Sequence, residues 1–202
     1  GVKTRNWLPT SEVSMAEALN PLGYTSGYFG KWHLGHEPYH PIEQGFDEQV
    51  AVSNWGQPPS YHAPYRRDRH GKVLYLDDLK QDAEPGEYLT DRLTDEVCAF
   101  ISSQKGKKPF FAFMSYYTIH TPLEPRQDLK SKGKYGGMVA ALDESVGRIL
   151  AHLKQEQLHE NTIVVFMSDN GGIRSRAPLR SKKGSTYEGG IREPLQPNKA
   201  KQ

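Results

Sequence analysis

Residues 162–172 read Thr-Ile-Val-Val-Phe-Met-Ser-Asp-Asn-Gly-Gly, and no other stretch narrows the options of this chain as much. The apolar half, Ile163 to Met167, is too short for a helix and rich in β-branched residues. That pattern predicts a strand buried on both faces, as in a parallel sheet flanked by helices. The run stops abruptly at Ser168-Asp169-Asn170-Gly171-Gly172. In open α/β sheets, ligands collect just beyond the carboxyl ends of strands. Asp169 offers an anionic oxygen and Asn170 a neutral carbonyl oxygen, a pair that suits Ca²⁺ or Mg²⁺ rather than a soft metal. The same residues also fit an Asx/Gly turn that does nothing but close a strand.

Two further strands are predicted to stop in the same way. Tyr24 to Gly30 leads into Lys31-Trp32-His33-Leu34-Gly35-His36, which also fits a surface loop with an aromatic plug. Pro109 opens the apolar run Phe110 to Tyr116, which leads to His120 in Tyr117-Thr118-Ile119-His120-Thr121-Pro122. A histidine at the end of a buried strand is well placed for chemistry, although single histidines are commonly structural.

Helices are predicted between these strands. Ser14 and Glu17 have capping-box spacing at the start of a short helix over 11–20. Over 88–104, Leu89, Leu93, Val97, Phe100 and Ile101 make one apolar stripe. Cys98 lies beside it and reads as a small packed hydrophobe, and as the single cysteine it excludes an intrachain disulfide. The longest helix spans 135–155, with Met138, Val139, Leu142, Val146, Ile149, Leu150 and Leu153 as its core face.

Residues 37–88 are predicted to be an excursion of loops that walls the crevice, with one hairpin from Arg69 to Leu76 around Gly71. Arg66-Arg67-Asp68-Arg69-His70 mixes charges and reads as a solvated loop, and Asp77-Asp78 as an exposed turn. The basic run Arg174, Arg176, Arg180, Lys182 and Lys183 is either a solvated loop or an anion-binding one, with composition leaning to solvated. Leu195 to Gln202 carry no periodicity and are expected to fray.

At 202 residues one domain is the default. A mean hydropathy of −0.74, with no run near the ~18 apolar residues required, predicts no membrane span. A net charge of +2 gives no electrostatic case for nucleic acid. Gly1-Val2-Lys3-Thr4-Arg5 lacks an initiator Met and a signal-peptide core, so an excised or processed piece is expected and the compartment stays open.

The order strand, helix, strand, helix, strand predicts an α/β sandwich with crossover connections. Parallel strands would place Lys31 and His33, His120, and Asp169 and Asn170 on one edge. Such a set describes a site for an oxyanionic group held against a metal, sulfate and phosphate alike.

The ordered segments together resemble the sulfatase family of the alkaline-phosphatase-like superfamily. Gly30-Lys31-Trp32-His33-Leu34-Gly35 looks like its second signature. Gly45-Phe46-Asp47, Tyr88-Leu89-Thr90-Asp91, His120-Thr121-Pro122 and Leu142-Asp143-Glu144-Ser145-Val146-Gly147 follow in family order. Ser168-Asp169-Asn170-Gly171, then Lys183-Gly184 to Glu188-Gly189-Gly190-Ile191-Arg192, complete the set. The resemblance runs from about residue 10 to residue 194 and implies a partial α/β/α sandwich with a mostly parallel central sheet, over 1–194, with 195–202 as a tail. By that resemblance Asp169 and Asn170 are ligands of Ca²⁺ rather than Mg²⁺. Lys31, His120 and Lys183 hold the sulfate ester oxygens, and His33 hydrogen-bonds the nucleophile and assists sulfate release.

The family's nucleophile is a formylglycine made from a Cys/Ser-x-Pro-x-Arg motif upstream of the Gly-Lys-Trp-His segment. Cys98, followed by Ala99 and Phe100, does not match it. The family's paired aspartates also lie upstream, and Asp77-Asp78 is in the wrong place to replace them. The expectation is therefore an internal fragment of a sulfatase catalytic domain, inactive alone, whose parent hydrolyses sulfated small molecules or sulfated carbohydrates. The resemblance suggests a secreted, periplasmic or lysosomal parent. Two alternatives stay open: a phosphoesterase or phosphonate hydrolase of the same superfamily, and a non-catalytic sulfate- or metal-binding pseudoenzyme.

Overall fold

The structure is a computed structural model that describes residues 6–79, 83–173, 177–193 and 195–198. It divides into two compact units, Gly1–His152 and Leu153–Gln202.

In chain order the first unit contains α1 (Met15–Leu19), β1 (Thr25–Gly30), β2 (Glu48–Val50), the hairpin β3 (Arg66–Arg69) and β4 (Lys72–Tyr75), α2 (Leu89–Gln104) and β5 (Phe110–Ser115). The helix α3 (Gly133–Gln155) runs across the boundary. The capping box forms as expected. The Ser14 hydroxyl accepts the Glu17 N–H at 3.1 Å, and the Glu17 carboxylate accepts the Ser14 N–H at 2.8 Å.

β1 is the centre of a parallel sheet ordered β2-β1-β5, in which Gly27 pairs with Glu48 on one side and Ala112 on the other. Alternation explains its burial on both faces. Phe29 meets Phe100 of α2 at 5.5 Å between centroids, while Tyr28 meets Trp32 and Phe46 on the opposite face. The predicted stripe of α2 is the buried one: Leu89, Leu93, Val97, Phe100 and Ile101 are all 3% exposed or less. Each such side chain contributes about 1.5–3 kcal/mol of burial. Cys98 is only half-buried, and burial raises its thiol above the ordinary range.

The excursion between β1 and α2 is packed. Tyr61, Tyr65, Leu76 and Leu79 join Leu89, Leu93, Tyr117 and Met138 in one core cluster. The hairpin turns at His70 and Gly71, both at positive φ, as the Gly71 signal predicts. Its first strand begins at Arg66, so the basic cluster read as a loop is a strand paired with Lys72–Tyr75. Asp78 is exposed in a short 3-10 turn, in line with its reading from sequence. In α3 the buried positions are Gly137, Met138, Ala141, Ser145 and Leu153. Val139 and Leu150, expected in its core face, are exposed. A wide apolar face in sequence does not specify how much of it a neighbour covers.

The second unit holds the end of α3, β6 (Val164–Met167), the short helix α4 (Glu188–Ile191) and β7 (Leu195–Asn198). β6 is a strand, as predicted, but it pairs antiparallel with β7 rather than lying between parallel neighbours. Its Val165, Phe166 and Met167 are exposed, against the expectation of burial on both faces. An apolar run selects a strand without selecting its partner, and here the partner comes from residues read as a frayed end. No described helix is long and apolar enough to cross a membrane.

Candidate active site

At the end of β1, Gly30 has φ +104°, and a Cβ there would lie 2.1 Å from the Ser115 carbonyl oxygen. Only glycine lets the strand turn this close to β5. Lys31 then donates its N–H to Ser115 O at 2.8 Å, which extends the β1–β5 ladder into the turn. Trp32 points inward, 6% exposed, and its indole N–H donates to Tyr39 O at 2.8 Å. His33 follows in the left-handed region, at φ +56°, with an exposed side chain. Lys31 and His33 are thus carried out of the end of β1 by a buried tryptophan between them.

The end of β5 is built differently. Tyr61 donates its hydroxyl to Tyr117 O at 2.6 Å, and the same oxygen accepts the His120 N–H at 3.3 Å. Tyr117 in turn donates to Ala51 O at 2.9 Å. Burial raises the Tyr61 and Tyr117 phenols, so both remain neutral donors. Thr90, at the start of α2, shares a 2.7 Å hydrogen bond with Thr118, while Asp91 receives both oxygens' worth of hydrogen bonds from Arg126. The Tyr-Leu-Thr-Asp motif therefore fastens α2 to the His120 loop. Gly-Phe-Asp is structural as well: Phe46 is core, and Asp47 accepts the Ser26 N–H at 2.8 Å.

The His120 Nδ1 lies 3.3 Å from the Thr121 carbonyl, which can only accept, so the contact is a hydrogen bond when Nδ1 carries a proton. The Thr121 hydroxyl, 3.2 Å from Nδ1, spends its own proton on Gln57 Oε1 at 2.8 Å.

In the second unit the Asp169–Gly172 turn is laced to the Glu-Gly-Gly segment. Gly171 N donates to Gly190 O at 3.0 Å, and Lys183 N donates to Gly172 O at 2.9 Å. A Cβ on Gly171 would lie 2.0 Å from Gly189 O, so the two segments touch backbone to backbone. Asp169, Asn170 and Lys183 are thereby held in one cluster. Of the basic run, Arg180 lies 3.6 Å over the Tyr187 ring and Lys182 and Lys183 are exposed, while Arg174 and Arg176 fall outside the described residues.

The sequence reading thus resolves into two groups: Lys31, His33 and His120 on the ends of adjacent parallel strands, and Asp169, Asn170 and Lys183 around one turn. Ser53 to Gln57, Tyr61 and the hydroxyl of Thr121 support the first group and were not read from sequence. Among these, only Thr121 lay in a recognised motif.

Asp169 and Asn170 fit Ca²⁺ in donor type, being hard oxygen ligands, and supply two of the roughly six to eight oxygens it takes. Among the described residues no group of three or more His, Cys, Asp or Glu could hold a metal. Formylglycine has no fit in this chain. Cys98 sits inside α2, half-buried and with a raised pKa, and no Cys or Ser here begins a Cys/Ser-x-Pro-x-Arg motif.

The sulfatase family profile matches residues 2–195. The N-acetylgalactosamine-6-sulfatase of Mus musculus is 35% identical over 206 residues, covering 93% of this chain and 40% of its own length. A sulfatase of Formosa agariphila is 32% identical, covering 94% of this chain and 45% of its own. The chain thus spans about two-fifths of the length of these relatives. The crystal structure of Ps i-CgsB in complex with k-i-k-neocarrahexaose superposes with a TM-score of 0.78 at 31% identity, covering 98% of this chain and 50% of that one. The PsFucS1 sulfatase from Pseudoalteromonas sp. gives 0.70 at 26% identity, covering 93% and 45%. With the α/β fold, its parallel sheet and this coverage, the chain belongs to the sulfatase family.

Proposed function

We propose that this chain is part of a hydrolase that cleaves sulfate esters of carbohydrates. The observation that carries the reading is the emergence of Lys31, His33 and His120 beyond the ends of adjacent parallel strands, within a chain whose residues 2–195 match the sulfatase family. The carbohydrate preference rests on relatives named for N-acetylgalactosamine 6-sulfate and on the neocarrahexaose-bound neighbour.

Sulfate ester cleavage moves negative charge toward the leaving oxygen, and preorganised donors that meet this charge lower the barrier. Lys31 and Lys183 supply fixed positive charge to the sulfate oxygens. His120 has Nδ1 committed to Thr121, so Nε2, when the ring carries its second proton, is the donor available to the ester oxygens. His33 handles a proton at the reacting group, since an imidazole exchanges one readily near neutral pH. Asp169 and Asn170 would hold Ca²⁺, which when bound would offset negative charge on the sulfate.

The test is sulfate release by the full-length protein from N-acetylgalactosamine 6-sulfate and from an aryl sulfate, beside the corresponding phosphates. Turnover of the sulfates, lowered about 10²–10³-fold in His120→Ala, is expected. Preference for the phosphates, or full activity in His120→Ala, would overturn the reading.

A further inference from the structure

Five residues, Ser53 to Gln57, touch the loops of both histidines. The Ser53 carbonyl accepts the His33 N–H at 3.2 Å. Asn54 Oδ1 accepts the Gly35 N–H at 2.9 Å. Gly56 lies against the imidazole itself: a Cβ there would stand 2.7 Å from His33 Cε1 and 3.0 Å from Nδ1. Gly56 does not have the positive φ that would demand glycine for backbone reasons, so the ring is what excludes a side chain. One residue on, Gln57 Oε1 takes the only hydroxyl proton of Thr121, which leaves that oxygen to accept from His120 Nδ1.

We propose that Ser53–Gln57 is a brace that sets both rings: Gly56 and Asn54 are positioning residues for His33, and Gln57, through Thr121, for His120. The proposal deepens the function argued above and rests on it. His33 stands in a left-handed turn with an exposed side chain, and His120 lies in the loop that follows β5. The brace acts from outside both strands, by a steric floor under the His33 ring and by the Gln57–Thr121 hydrogen bond beside the His120 ring.

The test measures kcat and KM of the full-length protein, with N-acetylgalactosamine 6-sulfate and an aryl sulfate, for Gly56→Ala and Gln57→Ala. Each is also combined with His33→Ala and His120→Ala. A misplaced catalytic group costs up to about 100-fold, so Gly56→Ala should lower kcat about 10- to 100-fold, with KM within about threefold. Its effect should vanish in the His33→Ala background and persist in the His120→Ala background. Gln57→Ala should lower kcat by a smaller factor and show the opposite pattern. If Gly56→Ala proves insoluble, Asn54→Ala, which removes only the bond to Gly35, carries the His33 arm with the same expected pattern. Wild-type kcat in the single variants, or effects that multiply fully with both histidine substitutions, would overturn the brace while the site reading stands. Full activity of His33→Ala and His120→Ala would overturn the site reading, and the brace with it.

Discussion

The hydroxyl oxygen of Tyr61 accepts the backbone N–H of His120 at 3.3 Å, so a residue from the excursion fixes a backbone at the end of β5. The phenol also donates to Tyr117 O at 2.6 Å and is fully buried. Tyr61→Phe keeps the ring and leaves these two groups without their partner. The expected loss is about 1–3 kcal/mol in urea unfolding, with a fall in kcat because the His120 loop relaxes. Unchanged stability and rate would show that the phenol is dispensable.

Gly30→Ala should be among the most damaging single changes in the first unit. The added methyl meets Ser115 O at 2.1 Å, and φ +104° is hostile to any Cβ. Strain of about 1–3 kcal/mol, with a clash against backbone, predicts a marked drop in soluble yield and melting temperature. Gly23→Ala provides the comparison: it shares a positive φ but meets nothing within 4 Å, and should cost less.

Arg126 bonds Asp91, Asp128 and Glu144. Burial raises Asp91 above the usual carboxylate value, although Arg126 pulls the other way, while Arg126 lowers Asp128. Removing the guanidinium leaves the half-buried Asp91 charge to the more distant Arg148 at 3.7 Å, which costs about 1–3 kcal/mol at pH 7. As pH falls through the folded-state pKa of Asp91 that carboxyl becomes neutral, and the protonation of Asp128 removes the stabilisation Arg126 gave it. Both effects have one sign: Arg126→Met should destabilise at neutral pH and approach wild type in acid. Urea titrations at several pH values check it, and a gap that widens on acidification would contradict it.

Asp169→Ala and Lys183→Ala separate the two proposed jobs in the second unit. Losing a carboxylate removes a ligand and a neutralising charge, so activity should fall and recover in part with added Ca²⁺. Losing the lysine should cost about 10²–10³ in rate with no calcium response. A calcium titration of both variants decides. A wild-type rate and calcium response in Asp169→Ala would remove it from the metal site.

Local patterns were the legible part of the sequence. The α2 stripe, the Ser14 cap, the Gly71 hairpin and the strands β1 and β5 follow from periodicity and turn chemistry. Lys31, His33 and His120 stand out as candidates because a buried strand that stops at polar residues is visible along the chain. Pairing was not visible. β6 was correctly a strand, but its partner lies thirty residues on, at Leu195–Asn198, with no signal of its own. The brace was hidden for a related reason. Gly56 and Gln57 sit in a proline-rich loop and matter only through groups more than twenty residues away, which no local pattern encodes.

Trp32 has a consequence beyond its packing. Lys31, Trp32 and His33 alternate outward, inward, outward as β1 ends, with the indole N–H satisfied by Tyr39. A slip of one residue would drive an ammonium or an imidazole into the aromatic cluster of Tyr28 and Phe46 and expel the indole into water. The tryptophan is therefore a ratchet tooth: it permits one phase of the chain and penalises the adjacent two, so Lys31 and His33 inherit their direction from a buried neighbour.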